Sequence, residues 1–313
     1  MHPAFSVVFL TTLIGAGQGL FLALFAMERL ARYGFVQDTP PPGFLGAGAV
    51  VAAALTAGGL VASTFHLGRP ERAWRAASKW RTSWLSREVI ALPLFLGLLA
   101  LYAAAQFLAW PGSAAIGAAA ALACVALFVC TGMVYAGIRF LQEWASPWTL
   151  VNFVLLGTAS GTTLAAALAW LEWPSVAADY AAAALMVTML ALVTRAASLA
   201  RNARLRPKST LQSAIGVKHP RIEQKAQGFM GGSFNTREFF HGASPSKLRA
   251  IKRGFLAFAF AVPMLLLGAG LGANAPVLFA VAFGVQYAGL LAERWFFLAQ
   301  ANHPQNLYYQ AIS

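Results

Sequence analysis

Apolar residues in this chain come in long unbroken runs, parted by short polar breaks, with neither the period-two alternation of a half-buried strand nor the narrow stripe of a surface helix. Eight runs approach or exceed the roughly 20 residues that carry a helix across a bilayer. They lie at about 5–27, 44–65, 89–110, 114–138, 150–170, 176–193, 254–271 and 276–297. The breaks carry turn residues: Pro40 to Pro42, Pro111-Gly112-Ser113, Glu172 to Ser175, and Gly272 to Ala275. The pattern predicts an all-α polytopic membrane protein, a bundle of eight transmembrane helices. Residues 1–313 form a single integral membrane domain, with both chain ends on one side. In the first run, Gly15 and Gly19 have the GxxxG spacing that lets helices approach closely. Gln18 between them places an amide inside the bilayer, where it needs a partner on another helix or on a ligand.

Composition supports the pattern. The chain is 59% hydrophobic and 11% charged, where soluble domains carry about 25% charge. The net charge of +13 would suit nucleic acid, but most of it sits in two polar segments beside apolar runs, which the positive-inside rule explains without any nucleic-acid partner. The two cysteines, Cys124 and Cys130, share one run and have no metal-ligand spacing. No Lys or Arg precedes the first run, which reads as a span and not as a removable leader.

The longest polar segment, residues 194–253, holds thirteen Lys or Arg against two acids, Glu223 and Glu238. Pro220, Gly231-Gly232 and the aromatics Phe234, Phe239 and Phe240 oppose a continuous helix there. Loops of this length are functional or disordered, and the buriable aromatics favour an ordered docking surface, with Arg237, Phe239 and Phe240 at a partner interface. The 139–149 loop carries Trp144 and Trp148, residue types that suit the membrane interface. Counted by side, basic residues divide twenty-one to two, the minority being Arg29 and Arg32. This places both termini and the basic loops in the cytoplasm, with the chain in the inner membrane.

The chemistry concentrates between runs two and three. Phe65 to Glu88 holds eight charged residues, His66, and the tryptophans Trp74, Trp80 and Trp84. A quinone exchanges two electrons and two protons; its carbonyls need hydrogen-bond donors and its reduction needs proton relays. His66, at interface depth, suits both roles. Glu88 opens the third run, and a carboxylate there is costly unless paired or hydrated. With a helix start near Ser83, capped by Ser83 or Ser86, Trp84 and Glu88 share a face. Arg69, Arg72 and Arg81 are fixed cations able to pair with Glu88 or stabilise an anionic reduced ring. The tryptophans offer faces for ring stacking. Taken singly, such Arg and Trp residues equally serve as interface anchors.

The same stretch, FHLGRPERAW followed by SWLSREV, resembles the signature of the DMSO reductase membrane anchor (DmsC) family, most sharply at His66, Gly68, Pro70, Arg72 and Ser86-Arg87-Glu88. That resemblance implies an eight-helix, quinone-interacting subunit of a molybdenum–iron–sulfur oxidoreductase. It implies a pocket for ubiquinone or menaquinone involving His66, Arg72 and Glu88, and no haem or metal in this chain. Its partners would be a ferredoxin-like iron–sulfur subunit and a molybdopterin catalytic subunit. In the family's namesake the quinone side faces the periplasm; here the same loop reads as cytoplasmic. The segment GSFNTREFFHG is similar to anchors of membrane-bound sulfite dehydrogenases that face the cytoplasm, which implies quinone reduction coupled to sulfite oxidation. A quinol-oxidising anchor of an S-oxide reductase is the alternative in the same class. A transporter would want ionisable groups near the midplane, and the runs offer almost none, with Glu88, Asp179 and Glu293 near run ends and Gln18 and Gln286 uncharged. A pure scaffold would leave His66 and Glu88 dispensable.

Overall fold

The computed structural model describes residues 4–41, 43–223, 225–226 and 244–308. Among them there are eight helices long and apolar enough to cross a membrane, and no strand. They are α1 (Phe5–Arg32), α2 (Phe44–Thr64), α3 (Trp84–Phe107), α4 (Ser113–Ala136), α5 (Pro147–Glu172), α6 (Ala177–Ala203), α7 (Pro245–Gly272) and α8 (Val277–Ala299). The chain is a multi-pass membrane protein. Its α1 start, its α8 end and the α2–α3 and α6–α7 connections share one end of the bundle, called here the basic end.

Several helices outrun their apolar cores. α1 continues to Arg32, so Glu28 lies on it, accepting hydrogen bonds from Tyr102 Oη (2.7 Å) and Gln106 Nε2 (3.1 Å) and pairing with Arg29 (2.7 Å). α3 begins at Trp84, five residues before the run starts, because Ser83 caps it by accepting from the Ser86 N–H (3.3 Å). α6 runs to Ala203 and α7 starts at Pro245, capped by Ser244. The expected 194–253 loop is therefore shorter than the polar run. It includes a one-turn helix, Leu211–Ile215, capped by Thr210. Arg195 and Arg201 belong to α6, and Lys247, Arg249, Lys252 and Arg253 to α7.

The bundle is held by close approach. A Cβ on Gly15 would touch Gly157 Cα at 3.4 Å; one on Gly19 would collide with the Gly157 carbonyl, and one on Gly161 with the Leu20 N–H. Two GxxxG pairs, Gly15/Gly19 on α1 and Gly157/Gly161 on α5, thus face each other, bringing backbones into direct van der Waals contact where no hydrophobic force separates helix from lipid. Gly19→Val is expected to cost about 1–3 kcal/mol of fold stability through overpacking, read as a lowered melting midpoint of the detergent-solubilised protein; an unchanged midpoint would show that α1 and α5 do not need this approach. In α7 a π turn, Ala257–Ala261, precedes Pro263. Proline has no N–H for the Ala259 carbonyl, and Gln286 Nε2 of α8 approaches that oxygen at 3.5 Å while donating to Thr188 Oγ1 at 3.1 Å.

Candidate functional site: a polar cleft inside the basic end

Glu88 sits one turn into α3, and its Oε1 accepts a short hydrogen bond, 2.6 Å, from Thr131 Oγ1 of α4. The carboxylate borders a cleft shared by α1, α3, α4, α5 and α8. Its polar lining is Thr11, Thr12, Gln18, Glu88, Thr131, Ser160 and Arg294; its apolar lining includes Leu10, Phe128 and Leu290. The free volume is about 20 Å³, the space of one water. Gln18 reaches the cleft from α1 and is also a helix tie, donating Nε2–H to the Cys124 carbonyl (2.9 Å) while the Cys124 thiol donates to the Gln18 carbonyl (3.7 Å).

Arg294 enters from α8. Its guanidinium carbon lies 3.7 Å from the centre of the Phe153 ring, a cation–π contact, and its side chain is 5% exposed. The ring of Tyr135 of α4 packs among Trp144, Phe153 and Phe297. Behind Arg294 lies a buried ionic cluster. Arg195 Nε is 2.7 Å from Glu293 Oε1, and Arg294 Nε is 3.9 Å from Glu293 Oε2, all with side chains at most 5% exposed. The contacts are close but poorly aligned: among the described residues, Arg195 Nε and Nη2, Glu293 Oε2 and Arg294 Nε form no well-directed hydrogen bond.

The α2–α3 connection is a different environment. A 3-10 segment, Pro70–Lys79, is exposed throughout its charged and aromatic positions. Arg72 pairs with its neighbour Glu71 at 3.8 Å, and Arg75 and Arg81 stand over Trp74 and Trp80; exposed pairs of this kind contribute little. Arg87 clips the connection to α3. It donates Nε–H to the Trp80 carbonyl (2.8 Å) and Nη2–H to the Arg81 carbonyl (2.9 Å), and stacks over Trp84 at 4.2 Å. His66 lies just beyond α2 and is exposed; nearby protein atoms still partly desolvate the imidazole, which lowers its pKa below the usual histidine value.

The DMSO reductase anchor subunit (DmsC) family model matches residues 1–218. The chain belongs to that family. It is also 50% identical, over 329 aligned positions covering 100% of both chains, to a sulfite dehydrogenase subunit from Allochromatium vinosum. As a DmsC-family member, this protein is the membrane anchor of an oxidoreductase.

Of the residues expected at the anchor's site, Gln18 and Glu88 meet in the cleft. His66, Gly68, Arg69, Arg72, Trp74, Arg81 and Trp84 lie outside its lining, at the α2–α3 connection and the start of α3. Glu88 accepts from a threonine hydroxyl; pairing with Arg69, Arg72 or Arg81 was one of the two roles expected of those arginines. Arg237, Phe239 and Phe240 fall outside the described residues. Trp144, expected at the membrane interface, is buried and donates Nε1–H to the Phe297 carbonyl at 2.9 Å. Thr131, Arg294 and Arg195 were missed. Arg195 read as part of a polar loop, although the spacing Thr194, Arg195, Ser198, Arg201, Asn202 is a helical polar stripe that continues α6.

Proposed function

We propose that this anchor exchanges electrons between a partner iron–sulfur subunit and the quinone pool, with the quinone head group at the Glu88 cleft. In this reading it serves a molybdopterin enzyme of the sulfite dehydrogenase kind, and quinone is reduced. The observation that carries the reading is one carboxylate and one guanidinium, Glu88 and Arg294, bordering the same cleft among hydroxyl and amide groups. Few intramembrane ionisable residues are tolerated without a function, and a quinone carbonyl needs donors of this kind beside a group that carries protons.

A bound quinone supplies the two-electron, two-proton chemistry. Glu88 holds a proton at its carboxyl group and hands it on, while the Thr131 hydroxyl fixes the carboxyl rotamer through Oε1. Arg294 places a fixed positive charge on the cleft wall, held against the Phe153 ring. Because the free volume suits only a water, a ring reaches Glu88 after flexible lining chains such as Leu10 and Leu290 shift. His66, with Arg69, Arg72, Trp74, Arg81 and Trp84 around the α2–α3 connection, is assigned to proton exchange between the cleft and the aqueous side.

The positive-inside bias supports a cytoplasmic basic end in the inner membrane; it survives the transfer of Arg195 and Arg294 to the buried interior. The partner then docks over the α2–α3 and α6–α7 connections, where a basic surface steers an acidic one. The 50% identity to a sulfite dehydrogenase subunit supports this partner over an S-oxide reductase. The test is photolabelling of the assembled complex with a quinone bearing an azide on its ring. Label is expected on peptides of α1, α3, α4, α5 or α8 that line the cleft, displaced by excess unmodified quinone. Displaceable label confined to other helices would place the head group elsewhere and reject the reading.

A further inference from the structure

A second recess lies on the lipid side of the same two helices. α1 and α8 each contribute to the Glu88 cleft, α1 through Leu10 to Gln18 and α8 through Leu290 and Arg294. Positions offset around the same helices, Phe5 and Phe9 of α1 and Ala288, Leu291 and Trp295 of α8, line an apolar groove of about 470 Å³ that Ile251 of α7 completes. The groove is a place where α1 is poorly covered: α1 packs far more extensively on α2 and α5 than on α8, and Phe5 and Phe9 are 69% and 40% exposed. Between the two recesses the seam is bridged by a hydrogen bond of 3.2 Å between Thr12 Oγ1 and Tyr287 Oη, with Thr12 itself on the cleft wall.

Depth fits as well. From the basic end of α8, Trp295 is about 6 Å in and Ala288 about 16 Å, at a rise of 1.5 Å per residue. The groove thus runs from the interfacial zone toward mid-bilayer, alongside the depth at which Glu88 and Arg294 lie. Its lining is almost wholly apolar; Lys247 at the first turn of α7 is the exception and stands at the aqueous mouth.

We propose that this groove holds the isoprenoid tail of the quinone and that the α1–α8 seam is the lateral passage from lipid to the Glu88 cleft. The proposal rests on the head-group reading above and adds where the tail lies and which helices part. An acyl chain of a phospholipid would fill the same apolar volume; continuity with the cleft across a single lightly packed seam is what favours the quinone.

The experiment uses the assembled complex and two photoactivatable quinones, one with the azide on the ring and one with it on the tail. The tail probe is expected to label peptides around Phe5 to Phe9 and Ala288 to Trp295. Ala288→Trp, which fills the groove at an exposed position and leaves the cleft lining intact, is expected to abolish that tail label. It should also raise KM for a long-tailed quinone about tenfold, the worth of losing about two buried methylenes, while KM for a tail-less quinone stays unchanged. Displaceable tail label on other helices, or unchanged tail label in Ala288→Trp, overturns the proposal. So does a phospholipid that co-purifies with the complex, is lost in Ala288→Trp, and leaves tail labelling intact. Ring label absent from the cleft would instead overturn the head-group reading, so the two failures are distinct.

Discussion

Glu293→Ala is expected to destabilise the folded bundle by about 3–5 kcal/mol, the usual penalty for leaving a buried charge without its partner. The ranking within the cluster follows from its charges. Two guanidiniums, Arg195 and Arg294, share the one carboxylate of Glu293 at 2.7 and 3.9 Å, and all three side chains are closed off from solvent. Removing Glu293 strands two like charges together in low dielectric. Removing Arg195, as in Arg195→Met, leaves Glu293 with Arg294 as a neutral pair and fills the vacated volume with an apolar chain, so its cost is expected to be much smaller. The melting midpoints of the two variants in detergent decide this, with Glu293→Ala well below Arg195→Met. Equal midpoints, or no loss in Glu293→Ala, would mean that the cluster is not compensated as described. Because Arg294 also borders the Glu88 cleft, Glu293 has a second consequence: it anchors the guanidinium on the cleft wall.

The eight helices were legible because crossing a bilayer imposes a length and an apolar content on each one, and both are visible in single runs. Their ends were less so. A helix continues past its apolar core wherever caps and polar faces allow, as Ser83 does for α3 and as the stripe of Thr194, Arg195, Ser198 and Arg201 does for α6. Gly15 and Gly19 could be recognised as a packing surface from spacing alone, and Gly157 and Gly161 have the same spacing; that the two meet is a tertiary fact. The cleft divides in the same manner. Gln18 and Glu88 stand out because polar groups in apolar runs are expensive. Thr131 becomes the partner of Glu88, and Arg294 a wall of the same cleft, only through the convergence of α3, α4 and α8. Thr131 resembles the many threonines that bond their own helix, and Arg294 sits near a run end where an interfacial arginine is ordinary. The α2–α3 connection shows the converse. Its density of Arg and Trp drew attention, yet its side chains face solvent and bond mainly within the connection, with Arg87 fastening it to α3.

The second large effect is expected of Glu88→Gln. Glutamine preserves the size of the side chain and an oxygen to accept the Thr131 hydroxyl, so the α3–α4 contact and the assembly of the complex should survive. What it removes is the exchangeable proton of the carboxyl group. General acid–base groups contribute about 10²–10⁴-fold, so quinone-coupled turnover should fall by about a hundredfold or more. In the proposed reading, electron transfer within the partner subunits does not pass through this side chain. The decisive measurement is therefore turnover of one preparation of the assembled Glu88→Gln complex, assayed in parallel with quinone and with a soluble dye that exchanges electrons with the partner subunits directly. The account predicts loss of the first with the second at the unmodified level; quinone-coupled turnover equal to that of the unmodified complex would contradict it.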